Sequence, residues 1–199
     1  KSGLTPEQQR LAWLYYTNFT RAGAKLDPDA KAKLSDINQK LANLYTQFSQ
    51  DLLAEENDRF LVLENEADLA GLPDSVRDAA ASAAEGHDLK GKWVVLNTRS
   101  SVEPFLSYST RRDLREKVWR TFVMRGDNGD SHDTNAIIAE VLQLRAQRAK
   151  LLGYPTHAHW RLENSMAKPP ERAMQLMEAV WPAAVARVHE EVADQQAIA

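Results

Sequence analysis

Cysteine is absent from the 199 residues. That excludes disulfides and thiolate metal ligands, and it fits a reducing compartment. No apolar run approaches the length of a membrane span. Positive charge is not in excess: Lys and Arg number 25 against 28 Asp and Glu, for a net charge of −3, so there is no electrostatic footprint for nucleic acid. A Gly-rich phosphate loop and a Gly-x-Ser-x-Gly elbow are both missing, as are internal repeats and low-complexity segments. What remains is ordinary for a globular protein, with 43% hydrophobic and 27% charged residues and enough length for a real core.

The sequence starts at Lys1 without Met, signal peptide or targeting pattern, and it stops at Ala199 inside a helical pattern with no Gly or Asn cap. These ends lead to the expectation that the chain is cut from a longer protein.

Helical signals dominate. Thr5, Pro6 and Gln8 form a capping box with Pro at the first helical position, and Gly23 stops the helix they open. Asp27 and Pro28 open a second helix, predicted to run to about Asn57. Its Leu34, Ile37, Leu41, Leu44, Phe48 and Leu52 recur at three- and four-residue steps as one apolar stripe. The two helices read as an antiparallel hairpin. Short β-like runs follow at Phe60–Leu63 and Trp93–Leu96, and are expected to pair. Between them lies an Ala-rich helix opened by Pro73 and closed by Gly86. Helices resume with Leu114, Val118 and Phe122 on one face. A long helix follows, capped near Asp133 or Thr134 and ended by Gly153. After it come a short helix around His157–Glu163 and a last one from Pro170, with a kink expected at Pro182. The expected fold is mostly α: helical hairpins and long helices with two short strands, filling residues 1–199 as one helical segment.

Several motifs invite a chemical reading. Val188–Asp194 reads VHEEVAD, one residue short of H-E-x-x-H, in which two imidazoles at i and i+4 bind zinc and the Glu acts as base. Here the fifth position is Ala193. His189 therefore stands without its partner, and Glu190, Glu191 and Asp194 do not converge with it on one helix face. His157 and His159 lie two apart, a spacing that converges on a strand and diverges on a helix, and their flanks favour a helix. Arg125–Asp133 reads RGDNGDSHD. A calcium loop starting at Asp127 needs an oxygen ligand where Gly129 stands, so a turn feeding a helix cap is the reading. Arg111, Arg112, Arg115, Lys117, Arg120 and Arg125 read as the solvated face of an amphipathic helix. Catalytic zinc needs three protein ligands, and no such set is offered. No catalytic, cofactor-binding or metal residue is assigned.

The order of segments is more specific than any motif. LANLYTQFSQDLLAEEN, ADLAGLPDSV, GKWVVLNT, LREKVWRTFVMRG, NAIIAEVLQLRAQRAKLLGY and LENSMA, in that sequence, resemble the thimet oligopeptidase family of zinc metallopeptidases, in particular its bacterial peptidyl-dipeptidase branch. The resemblance runs from about Leu11 to the end. It implies a longer, two-lobed parent that binds zinc in its C-terminal half and releases C-terminal dipeptides from short peptides. The region matched here is the N-terminal helical half, so the catalytic half would be the missing partner and no family ligand maps onto any residue. The near-motif at His189 is then a coincidence. The segment would be inactive, hold no cofactor and form a wall of the substrate channel. Its partners would be short peptides and the missing half, with no nucleic acid and no membrane. Met174, Leu176, Met177, Val180 and Trp181, bared by the cut, could drive self-association. A cytoplasmic location is expected, with a periplasmic one as the alternative. Two other functions compete: a free-standing helical binding or scaffold module, and a small metal enzyme using His157, His159 and His189.

Overall fold

The computed structural model describes residues 3–198. Eight α-helices and two short strands are found there: α1 Pro6–Arg21, α2 Pro28–Asp58, β1 Leu61–Leu63, α3 Asp74–Gly86, β2 Trp93–Val95, α4 Arg99–Tyr108, α5 Arg112–Val123, α6 Asn135–Leu151, α7 His157–Leu162 and α8 Pro170–Ile198. A 3-10 turn occupies Glu66–Leu69. The fold is mostly α. The chain divides into two compact units. One is built from the chain up to Gln39 and from Leu142 onward, the other from Lys40–Val141. Helices α2 and α6 each supply residues to both.

In the first unit the caps form as the side chains dictate. The Gln8 N–H donates to Thr5 Oγ1 (3.3 Å) and the Thr5 N–H donates to Gln8 Oε1 (3.0 Å). The Ala30 N–H donates to Asp27 Oδ1 at 2.8 Å, which starts α2. Between the helices Gly23 takes φ +97°, and a Cβ there would lie 2.5 Å from Leu34 Cδ2. Leu34, Ile37, Leu144 and Ala149 are buried in this unit. Helix α1 buries none of its residues, and neither does α8.

The second unit holds the larger core. The strands pair antiparallel, with Leu61 opposite Val95, Val62 opposite Val94 and Leu63 opposite Trp93. Leu63, Leu69, Leu72, Val95, Val102, Phe105, Leu114 and Val118 form one buried cluster, with Phe122 packed against it. The Arg111 guanidinium donates to Asp68 Oδ1 at 2.7 Å. It thereby ties the start of α5 to the 3-10 turn, whose Asp68 also accepts the N–H groups of Glu64 (3.0 Å) and Asn65 (3.3 Å).

Two expectations are corrected. Helix α4 was not foreseen, because Pro104 in its interior signals a break. The helix forms because Val102 and Phe105 enter the core, 2% and 1% exposed. The apolar stripe of α2 is also not uniform: Leu41 is buried, whereas Leu44, Phe48 and Leu52 are half-buried. The buried position at that end of the helix belongs to Glu55, 1% exposed.

Candidate functional site

His189 lies on the exposed face of α8. The neighbouring carboxylates are engaged: Arg187 donates to Glu190 (2.8 Å) and to Glu191 (3.1 Å). His157 and His159 both lie on α7 and turn to different partners. Thr156 caps the helix by accepting the His159 N–H (3.3 Å), and its hydroxyl shares a hydrogen bond with His159 Nδ1 (2.8 Å). His159 Nε2 sits 3.6 Å from Glu171 Oε1. The His157 ring packs on Trp160 with centroids 5.5 Å apart. Burial first, then the nearby guanidiniums of Arg145, Arg148 and Arg161, hold the His157 imidazole below its ordinary pKa.

Around Trp160 lies a cluster that sequence reasoning missed. Arg21 donates to Glu163 Oε2 (2.7 Å) and to the Trp160 carbonyl (2.5 Å), and the Trp160 indole N–H donates to the Arg21 carbonyl (3.2 Å). The Tyr154 hydroxyl donates to Glu163 Oε2 at 2.6 Å. Burial, with the Glu163 carboxylate second, pushes the Tyr154 pKa up to about 12. These contacts fasten the end of α1 to α7. They are a clamp, because every polar group in them answers another.

The Arg125–Asp133 loop is also tied inward. Glu55 accepts the Gly126 N–H and an Asn128 amide N–H (2.5 Å). Asp133 accepts from Gly129 (2.9 Å) and Asn135 (2.9 Å), and Asp130 from His132 (2.9 Å) and Arg59 (2.5 Å). The loop's carboxylates therefore serve as caps and turn acceptors, as their residue types favour. Asp130 and Asp133 are held below the usual carboxylate range chiefly by the backbone N–H groups they accept. Glu55 lies three residues beyond Leu52, in register with the stripe, which was its one signal in the sequence.

Among the described residues no group of three or more His, Asp or Glu is placed to hold a metal. The donor chemistry gives the reason: His159 meets one carboxylate, Glu171 (3.6 Å), His132 meets one, Asp51 (3.3 Å), and Glu190 and Glu191 beside His189 are paired with Arg187. These residues do not fit a zinc centre, and no step is derived through one. No helix among them is long and apolar enough to cross a membrane.

Comparison with known proteins supplies the context that the side chains do not. Residues 105–199 match the profile of peptidase family M3. The chain is 38% identical to a dipeptidyl carboxypeptidase of Escherichia coli (strain K12), over 98% of this chain and 29% of that protein. It is 35% identical to a dipeptidyl carboxypeptidase of Salmonella typhimurium, over 98% of this chain and 28% of that protein. It is 33% identical to oligopeptidase A of Haemophilus influenzae, over 81% of this chain and 24% of that protein. The chain thus spans less than a third of the length of the curated relatives it matches. With the profile match over residues 105–199 and a likeness running through nearly its whole length, the chain is similar to members of peptidase family M3.

Proposed function

We propose that this chain is a helical segment of a longer zinc peptidase that hydrolyses short, unstructured peptides and releases dipeptides from their C-termini. One observation carries the reading. The identity to a dipeptidyl carboxypeptidase runs through 98% of this chain and occupies only 29% of that protein. In this reading zinc would be bound outside residues 1–199, where it would supply Lewis-acid chemistry for the hydrolysis. The segment forms a wall of the channel that admits short peptides, and it cleaves nothing by itself.

The exposed apolar residues of two helices support a partner surface. On α8, Met174, Leu176, Met177, Val180 and Trp181 are between 47% and 70% exposed. On α1, Trp13, Tyr15, Tyr16 and Phe19 are likewise exposed. Apolar surface on this scale marks association, so the catalytic half is taken to cover it, and the isolated chain is expected to self-associate. The cytoplasm is the proposed location, with the periplasm as the alternative. The gene tests the reading directly. An open frame that continues past Ala199 to an H-E-x-x-H is the expected result. A stop codon directly after Ala199 would favour a free-standing helical module.

A further inference from the structure

Six basic residues crowd the stretch from Arg111 to Arg125, and the structure sorts them. Arg111 pairs with Asp68 (2.7 Å) and Asp113 (2.8 Å), Arg120 pairs with Glu116 (2.8 Å), and Arg125 pairs with Glu56. Among the described residues Arg112 and Arg115 have no carboxylate partner. Arg115 donates to the Ser109 carbonyl at 2.5 Å, which fixes its guanidinium without neutralising it.

The two unpaired guanidiniums line the same open groove, together with Leu106, Glu116 and Trp119. The spacing of Arg112, Arg115, Glu116 and Trp119 places them on one face of α5. Leu106 comes from α4. The Glu116 charge is met by Arg120, so the groove carries two uncompensated positive charges. Arg112 is the first residue of α5, where the helix N-terminus adds positive potential. Beside the charges Trp119 is 49% exposed, a large apolar face on an otherwise polar helix surface.

We propose that this α4–α5 groove binds an acidic peptide. Arg112 and Arg115 take its carboxylates, and Trp119 with Leu106 takes an adjacent apolar side chain. Charge complementarity selects the occupant, because guanidiniums match carboxylates in a two-pronged geometry. A nucleic acid is the weaker fit, since a phosphate backbone rewards many positive charges and the whole chain is net negative at −3. The proposal does not depend on the peptidase reading, because it concerns binding by residues of this chain without hydrolysis.

The test titrates the 199-residue chain with acetyl-Glu-Leu-Glu amide and with its Gln-Leu-Gln analogue, by calorimetry. The Trp119 indole resonance is followed in parallel. The acidic peptide should bind and shift that resonance. Arg112→Gln, at a side chain without an ion-pair partner among the described residues, should weaken binding about fivefold, the upper range for an exposed ion pair. Its unfolding midpoint should stay unchanged. High salt should weaken binding in the same direction. Equal binding of both peptides, no binding of either, or an affinity indifferent to Arg112→Gln would overturn the proposal. Tighter binding of a single-stranded oligonucleotide, lost with the same substitution, would overturn it in favour of a phosphate ligand.

Discussion

The enclosed carboxylate of Glu55 accepts a hydrogen bond from the backbone N–H of Gly126, 71 residues further along the chain. The Asn128 amide (2.5 Å) and the Arg59 guanidinium (3.3 Å) complete its surroundings. A carboxylate taken out of water is stable only when its lone pairs are answered. Glu55→Ala leaves the buried Gly126 N–H without its acceptor, while Arg59 keeps Asp130, and should cost about 2–3 kcal/mol in urea unfolding. Glu55→Gln keeps the shape and loses the charge, so it should cost less. A loss below about 1 kcal/mol for Glu55→Ala would mean that the loop does not depend on this contact.

Two glycines in the same loop separate backbone conformation from crowding. Gly126 has φ +73°, and a Cβ there would stand 2.6 Å from Thr134 Oγ1. Thr134 cannot easily move aside, because its N–H (2.8 Å) and its hydroxyl (3.0 Å) both donate to the Gly126 carbonyl. Gly129 has φ +65° with nothing within 4 Å of the added atom. Gly129→Ala should lose only the left-handed conformational term, about 1–2 kcal/mol. Gly126→Ala should lose about 1 kcal/mol more, for the crowding. Equal midpoints for the two variants would show that the loop simply gives way.

Phenylalanine burial makes a second paired comparison. Phe105 is 1% exposed, so Phe105→Ala should cost about 3–5 kcal/mol. Phe48 is half-buried, and Phe48→Ala should cost roughly half as much, since the loss scales with apolar area removed from water. Equal costs for the two, measured by chemical denaturation, would place Phe48 fully in the core.

The Arg111 guanidinium beside Asp113 holds that carboxyl at about 2, against an ordinary value of 3.8. The folded-state pKa lies below the unfolded one. Its contribution to stability is therefore present above about pH 4 and is lost as pH falls through about 2. In Arg111→Gln the Asp113 carboxyl should titrate back near its ordinary value in a carboxyl-carbon NMR experiment. An unmoved Asp113 would assign the shift to the backbone N–H groups at the start of α5 instead.

The legible parts of this fold were the local ones. The Thr5 capping box, the Asp27-Pro28 start and the stops at Gly23 and Gly153 are written in neighbouring residues and form as read, whereas Gly86 is still helical and Asp88, at φ +58°, makes the left-handed turn after α3. The paired strands were readable from short apolar, β-like runs bounded by polar residues. Helix α4 was hidden because its stability comes from burying Val102 and Phe105, and tertiary burial overrides the poor propensity of a segment with Pro104. Glu55 was hidden because its partners lie far along the chain, and Arg21 was hidden from Trp160 and Glu163 for the same reason. The basic stretch could be counted in the sequence but not sorted. Only packing decides that Arg111, Arg120 and Arg125 find carboxylates and that Arg112 and Arg115 share a groove. The family likeness was legible because it rests on many segments in order, which no single contact disrupts.

Peptide hydrolysis tests the central claim most directly. The longer protein that contains residues 1–199, and the 199-residue chain alone, are each incubated with a blocked tetrapeptide, and the products are read by mass spectrometry. The longer protein should release the C-terminal dipeptide, lose that activity to a chelator and regain it with zinc, while the 199-residue chain should release nothing. Cleavage by the 199-residue chain alone, or cleavage by the longer protein that a chelator leaves intact, would contradict the account.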